Sequence, residues 1–256
     1  MTDNEFAGVM VLVLAVNETL SLRRTVCEIA EILPPEDVRK ILIFYPPFAT
    51  DDCVAVIHEL SAQELPIPVM AEPQISENRA ESLMYVFRKK TDATHVMFWS
   101  SDGEVESNKI TLLLSAAKEN PQACVKFSRM MKGGSQPAER NVFLKARDKA
   151  FCVLTRVLLR ANITDALFFG HVIFPVAPFN SFYLTEAGAS IIIEILNLFA
   201  RLGDGFIEFP ICARQRTDSK SNIKLKQKFK VLFFMLRLTA GNYRRNRHVK
   251  KHIGGK

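Results

Sequence analysis

Four apolar runs of strand length, each followed by a segment with helical spacing, fill the first 120 residues, and this alternation most limits the folds open to the chain. VMVLVLAV (Val9 to Val16) is apolar at every position. Neither of its faces suits water, which is the pattern of a central parallel strand covered by helices on both sides. Glu18 to Leu33 follows, with Leu22, Val26, Ile29, Ala30 and Leu33 on one stripe, Asn17 placed to cap the helix and Pro34-Pro35 to stop it. VRKILIFY (Val38 to Tyr45), IPVMA (Ile67 to Ala71) and THVMFW (Thr94 to Trp99) repeat the strand, while Asp51 to Leu60, Ser76 to Lys90 and Lys109 to Glu119 repeat the helix. These spacings suit βαβ crossovers, so the predicted class is α/β, a parallel sheet flanked by helices.

The second half extends the pattern. ACVKF (Ala123 to Phe127) adds a strand, and SRMMKGGSQPAER after it is polar and glycine-bearing, the composition of a mobile loop. Asn141 to Arg160 and Ser190 to Leu202 read as helices, GHVIFPVAPFNSF as an extended segment broken by prolines, and Gly205 to Arg214 as a strand. With no linker or internal repeat visible, one domain over 1–221 is expected, followed by a basic amphipathic extension over 222–256.

Charge separates these two parts. The segment from Arg214 to Lys256 holds 14 Lys and Arg against the single acid Asp218, which leaves about −6 on residues 1–213 of a total of +7. Lys224, Lys226, Lys228 and Lys230 lead into VLFFMLRL, a combination suited to an anionic membrane surface, or alternatively to a helix packed on the domain with a basic end. Nucleic acid is not the expected partner, because no aromatic-interleaved basic platform or reading helix accompanies the charge. No uninterrupted apolar run reaches spanning length and the N-terminus carries acids, so a cytoplasmic protein is expected, peripheral at most to the cytoplasmic face of a membrane. Five scattered cysteines without ligand spacing read as buried thiols.

In an open parallel sheet, ligands bind beyond the carboxyl ends of the strands. Asn17-Glu18, YPPFATDD and SSDGE all fall there. Asp102 and Glu104 are spaced so that alternate loop side chains can face one hard cation, whose shell ligand phosphates would complete. The same residues also suit a solvated turn in which Gly103 supplies positive φ. His171 and Trp99 read as packing residues.

Taken in order, these blocks resemble family 2 inverting glycosyltransferases of the GT-A fold, in their dolichol-phosphate mannose synthase-like, polyprenyl-phosphate branch. VLVLAVNETLSLRRTV resembles the family's opening block, with Asn17 and Glu18 on its Asn-Glu. HVMFWSSDGEVES falls on the strand ending in Asp-x-Asp, with Ser100 on the first Asp, Asp102 on the second and Glu104 on the next metal-contact position. KFSRMMKGG puts Arg129 on an arginine implied to face phosphates, and RVLLRANITDALFFG puts Asp165 on the acceptor-side aspartate. EILNLFARLGDGFIEFPICARQRTDSK covers Glu194, Glu208, Pro210, Arg214 or Arg216, Ser219 and Lys220. The sequence departs from the family at YPPFATDD, where Asp51 or Asp52 would stand in for the nucleoside-binding acids, at Ser100, and at Phe169-Gly170-His171.

The resemblance implies transfer of a sugar from a nucleotide-diphosphate donor to a lipid-phosphate or glycan acceptor with Mg²⁺ or Mn²⁺. Asp102 and Glu104 would hold the metal, Arg129, Arg140 and one of Arg214 or Arg216 would face phosphates beside Lys220, and Asp165 would serve as base for a hydroxyl acceptor. Its alternative is a degenerate member, the same fold acting as a binding or scaffolding partner of a membrane-associated glycosylation enzyme.

Overall fold

A computed structural model of the chain describes residues 5–76, 78–137, 141–186, 188, 190–203, 205–215 and 230–239. Seven strands form one sheet: β1 (Val9–Leu14), β2 (Val38–Tyr45), β3 (Val69–Pro73), β4 (His95–Ser100), β5 (Cys124–Ser128), β6 (His171–Pro175) and β7 (Phe206–Pro210). Their order is β3-β2-β1-β4-β6-β5-β7, with β6 antiparallel to both neighbours and every other pairing parallel. The helices are α1 (Leu20–Ile32), α2 (Asp51–Ala62), α3 (Arg79–Tyr85), α4 (Ile110–Glu119), α5 (Val142–Leu159), α6 (Ser190–Leu202) and α7 (230–239).

The side-chain period of two decides the layers. On β1, Val9, Val11 and Val13 pack with Leu22, Val26 and Ile29 of α1, Ile57 and Leu60 of α2, and Leu113 of α4. Met10 and Leu12 point to the opposite core, with Leu83 of α3, Cys152 of α5, Ile195 and Phe199 of α6, and Phe234 and Met235 of α7. A strand apolar on both faces is thus buried on both faces. Of the segment read as a basic extension over 222–256, residues 230–239 form a helix whose Val231, Phe234 and Met235 sit in this second core; 222–229 and 240–256 lie outside the described residues.

Three local readings are corrected. Asn17 does not cap α1: the helix starts at Leu20, Thr19 is its N-cap without a side-chain bond, and Glu18 Oε2 accepts instead from the Val16 and Asn17 amides at 2.8 and 3.1 Å. The helix expected over Ser76 to Lys90 starts at Arg79, capped by Asn78 Oδ1, and widens into a π turn over Val86–Lys90. Residues 128–135, the first part of the loop where mobility was expected, are laced down. Ser128 Oγ accepts from the Met130 and Met131 amides, Gly134 N–H donates to Met131 O, and Ser135 forms a bridge to Cys212. Among the described residues, no helix is long and apolar enough to cross a membrane.

Candidate functional site

The parallel strands β1, β4, β5 and β7 end at one edge of the sheet, and antiparallel β6 begins there. Register fixes this, since Leu14 lies opposite Ser100, Trp99 opposite His171, and Ser128 opposite Pro210. Ser101 Oγ donates to Leu14 O at 3.1 Å, stitching the tips of β1 and β4 together. The loop after β4 then turns inward: Asp102 is 4% and Glu104 7% exposed, and Asp102 Oδ1 accepts from the Glu104 amide at 3.2 Å. This is a buried turn, whereas the solvated alternative required exposed carboxylates.

Opposite stands Arg129, the first residue beyond β5. Its Nε donates to Asp165 Oδ2 at 2.9 Å and its Nη2 to Asp165 Oδ1 at 3.3 Å, while Nη1 lies 3.8 Å from Glu104 Oε1. Its guanidinium also covers the Phe168 ring, 4.5 Å from the centroid. Burial opposes the charge on Arg129, but the hydrogen bond and charge of Asp165 outweigh it and hold the group above its ordinary value.

Asp165 is fully buried, and its oxygens also accept from the amides of Arg129, Leu167 and Phe168, with the Cys152 thiol 3.7 Å away. Burial alone would raise this carboxyl; the hydrogen bond and charge of Arg129, then Lys126, bring it below the usual carboxylate range. Asp165, read from the sequence as a base for a hydroxyl acceptor, thus has both carboxylate oxygens engaged by Arg129 and by backbone amides, the arrangement of a group that positions the guanidinium.

Beneath this pair lies a residue that sequence reasoning passed over. Lys126 sits in the middle of β5, fully buried, opposite Glu208 of β7, and its Nζ donates to Phe127 O, Asp165 O and Glu208 Oε1 at 2.8, 2.7 and 3.3 Å. Glu208 in turn accepts from the Thr164 amide and hydroxyl and from the Asp165 amide. Its signal was available: a lysine inside CVKFS, a strand buried at every position, demands a partner charge. Through these contacts Lys126 pairs with Glu208, and Arg129 with Asp165 and Glu104.

The remaining expected residues lie around the edge. Arg214 donates through its amide to Glu104 O at 2.9 Å and pairs with Glu106 through its guanidinium, so its side chain is turned to an exposed ion pair. Glu18 and Asn17 follow β1, and Asp51 and Asp52 occupy the first turn of α2, both exposed, with the Thr50 amide bonded to Val16 O at 3.0 Å. Arg140, Arg216, Ser219 and Lys220 lie outside the described residues. Glu194 is a structural acceptor for the Thr185 and Glu186 amides. Trp99 and His171 are buried and packed edge to face, their centroids 4.7 Å apart.

Solved structures share this fold. Glucosyl-3-phosphoglycerate synthase from Mycobacterium tuberculosis in complex with Mn²⁺, UDP-glucose and phosphoglyceric acid matches with a TM-score of 0.64 at 16% identity, over 91% of this chain and 80% of that one. The same enzyme with Mn²⁺, UDP-glucose and glycerol 3-phosphate matches at 0.63 and 17% identity, over 92% and 80%. A further structure of it matches at 0.61 and 17% identity, over 92% and 81%. The chain has the GT-A fold. A scan against protein-family models and a search of curated proteins find no significant match.

Within this GT-A framework the fit to a divalent cation can be judged from the donor set. Among the described residues, no three His, Cys, Asp or Glu groups converge on one point, so a cage built from protein alone is not present. Two buried carboxylates in one turn do suit Mg²⁺ or Mn²⁺ with a shell completed by water and phosphate oxygens.

Proposed function

We propose that this protein is a glycosyltransferase that moves a sugar from a nucleoside-diphosphate donor to a phosphate-bearing acceptor, and that the acceptor is a polyprenyl phosphate. The observation that carries the reading is the facing pair at the strand tips, Glu104 against Arg129 at 3.8 Å, with Asp102 buried in the same turn. Mn²⁺ and UDP-glucose in the complexes of the M. tuberculosis enzyme support the donor class, and the phosphate on both of its bound acceptors supports the acceptor class. The polyprenyl part rests on the sequence resemblance alone.

In this reading the acceptor oxygen attacks the anomeric carbon, the C–O bond to the diphosphate breaks, and the diphosphate departs with the bonding electrons. Arg129 faces that developing charge, and Asp165 holds the guanidinium in place through two of its nitrogens. Asp102 and Glu104 are the residues that would hold Mg²⁺ or Mn²⁺, which when bound supplies charge neutralisation to a diphosphate. An ionised phosphate acceptor carries no proton that must leave before attack, which accords with the occupied state of Asp165.

A second reading is favoured by Ser100, where the resemblance expects an aspartate, and by the missing third ligand among the described residues. In it the fold binds a partner enzyme and performs no transfer. A thermal-shift panel of nucleotides and nucleotide sugars, with and without Mn²⁺, separates the two. A donor at 100 times its dissociation constant stabilises by about 2.7 kcal/mol, whereas absence of any nucleotide-dependent shift supports the scaffold.

A further inference from the structure

Helix α5 has a second apolar face that the core does not use. Spacings of three and four residues put Phe143, Ala146, Ala150, Val153 and Val157 on one line, which buried Cys152, Thr155 and Leu159 show to be the outward one. Exposure is high for apolar groups: 80% at Val142, 76% at Phe143 and 65% at Val157. An open groove of about 530 Å³ runs along it, lined by Ala146, Lys149, Ala150, Val153, Leu154 and Val157. Helix α7 lies alongside, with Thr155 Oγ1 3.2 Å from Met235 Sδ and Thr239 Oγ1 donating to Leu158 O, and it adds Phe233, 72% exposed, and Leu236.

Charge identifies what would cover this surface. The only acid in α5 is Asp148, which is buried and paired with Arg147; Lys149, Arg156 and Arg160 are exposed. Helix α7 contains no acid and exposes Lys230 and Arg237, and the sequence beyond it, 240–256, holds six Lys and Arg with no Asp or Glu. A second copy docked by this face across a two-fold axis would set cation against cation, and the basic chain that follows α7 would be repelled from it as well. Large apolar side chains edged by cations of a single sign suit an anionic bilayer surface, with aromatic and aliphatic groups entering the headgroup boundary and Lys and Arg meeting lipid phosphates.

We infer that the outward faces of α5 and α7 together form a docking surface for anionic glycerophospholipid membranes. This stands apart from the transferase reading, since it uses none of the residues at the strand tips. The test is co-sedimentation of the full chain with vesicles of phosphatidylcholine, alone or containing phosphatidylglycerol, for the native protein, Val153→Glu/Val157→Glu, and a chain ending at residue 239. Native protein is expected on the anionic vesicles and not on pure phosphatidylcholine. The double substitution is expected to weaken partitioning about tenfold or more, because it removes two apolar contacts and sets two carboxylates against anionic lipid, while leaving the melting temperature unchanged. Should the double variant melt early, Phe143→Ser/Phe233→Ser decides by the same readout. The inference is overturned if native protein ignores anionic vesicles, if only the tail deletion abolishes binding, or if the substitutions instead dissociate a dimer or release an acidic protein partner.

Discussion

Arg129 is fastened to Asp165 Oδ2 twice, through its side-chain Nε at 2.9 Å and through its backbone amide at 3.2 Å. Both residues are buried, so deleting one strips the other of its nearest counter-charge in a low-dielectric setting. Asp165→Ala is therefore expected to destabilise the fold by about 3–5 kcal/mol, measured by urea denaturation. In the proposed enzyme the conservative Asp165→Asn would lower kcat more than it raises KM for the donor, because it loosens the aim of Arg129 at charge that develops on bond breaking.

The same pair sets an acid dependence. Asp165 has its folded pKa depressed chiefly by Arg129 against the cost of burial. The unfolded chain thus takes up this proton first as pH falls. The stabilisation is complete above the unfolded carboxylate value of about 3.9 and declines as pH drops through it toward the lower folded value. Melting temperatures across the acid range should fall below about pH 4 in the native protein, and Asp165→Asn should remove part of that slope.

At Gly134 the chain passes so close to its own backbone that a Cβ would lie 2.6 Å from Ser128 O and 3.1 Å from the Arg129 carbonyl carbon. Backbone atoms cannot yield as a flexible side chain would. Gly134→Ala is expected to cost about 1–3 kcal/mol in thermal or chemical unfolding and to displace the Arg129 backbone. Gly133→Ala, at φ +90°, should be strained for a different reason, its left-handed backbone, with only ordinary contacts to Pro210.

Cysteine labelling reads burial at four further points. Burial pushes Cys53 to about 11, with Glu18 adding to the shift, and pushes Cys124 and Cys152 to about 12. At pH 8 the thiolate fraction of Cys53 is on the order of a thousandth, before access is considered. Iodoacetamide followed by mass spectrometry should modify exposed Cys212 in the native protein and reach Cys53, Cys124 and Cys152 only after denaturation.

The layer structure was legible because burial on both faces leaves a plain trace, a run such as VMVLVLAV with no polar position, and because α6, with its strong apolar stripe, could be bounded to the residue. Helix starts were less legible where side chains found other uses: Glu18 binds the amides before α1, so Asn17 is not the cap. The antiparallel β6 could not be recognised from His171 to Pro175 alone, since strand direction is set by the connection and not by the apolar run. At the candidate site, sequence order placed Arg129, Asp102 and Glu104 beyond strand ends, and the family resemblance added Asp165. Sequence order could not reveal that Arg129 and Asp165 pair, nor that Lys126 and Glu208 support them, because those bonds reach from β5 and its end to a loop 36 residues on and to a strand 82 residues on. Asp51 and Asp52 are near the same edge but exposed on α2, a placement that depends on loop length and not on residue type.

In the proposed enzyme Asp102 and Glu104 grip a divalent cation that in turn meets a diphosphate. Calorimetric titration of UDP and GDP into the full chain, with Mn²⁺ and without it, for the native protein and Asp102→Ala, tests this most directly. The prediction is that Mn²⁺ tightens binding of at least one diphosphate by about tenfold or more, equivalent to about 1.4 kcal/mol, and that Asp102→Ala abolishes this gain without lowering the melting temperature. An undiminished Mn²⁺-dependent gain in Asp102→Ala, or no diphosphate binding by the native chain, would contradict it.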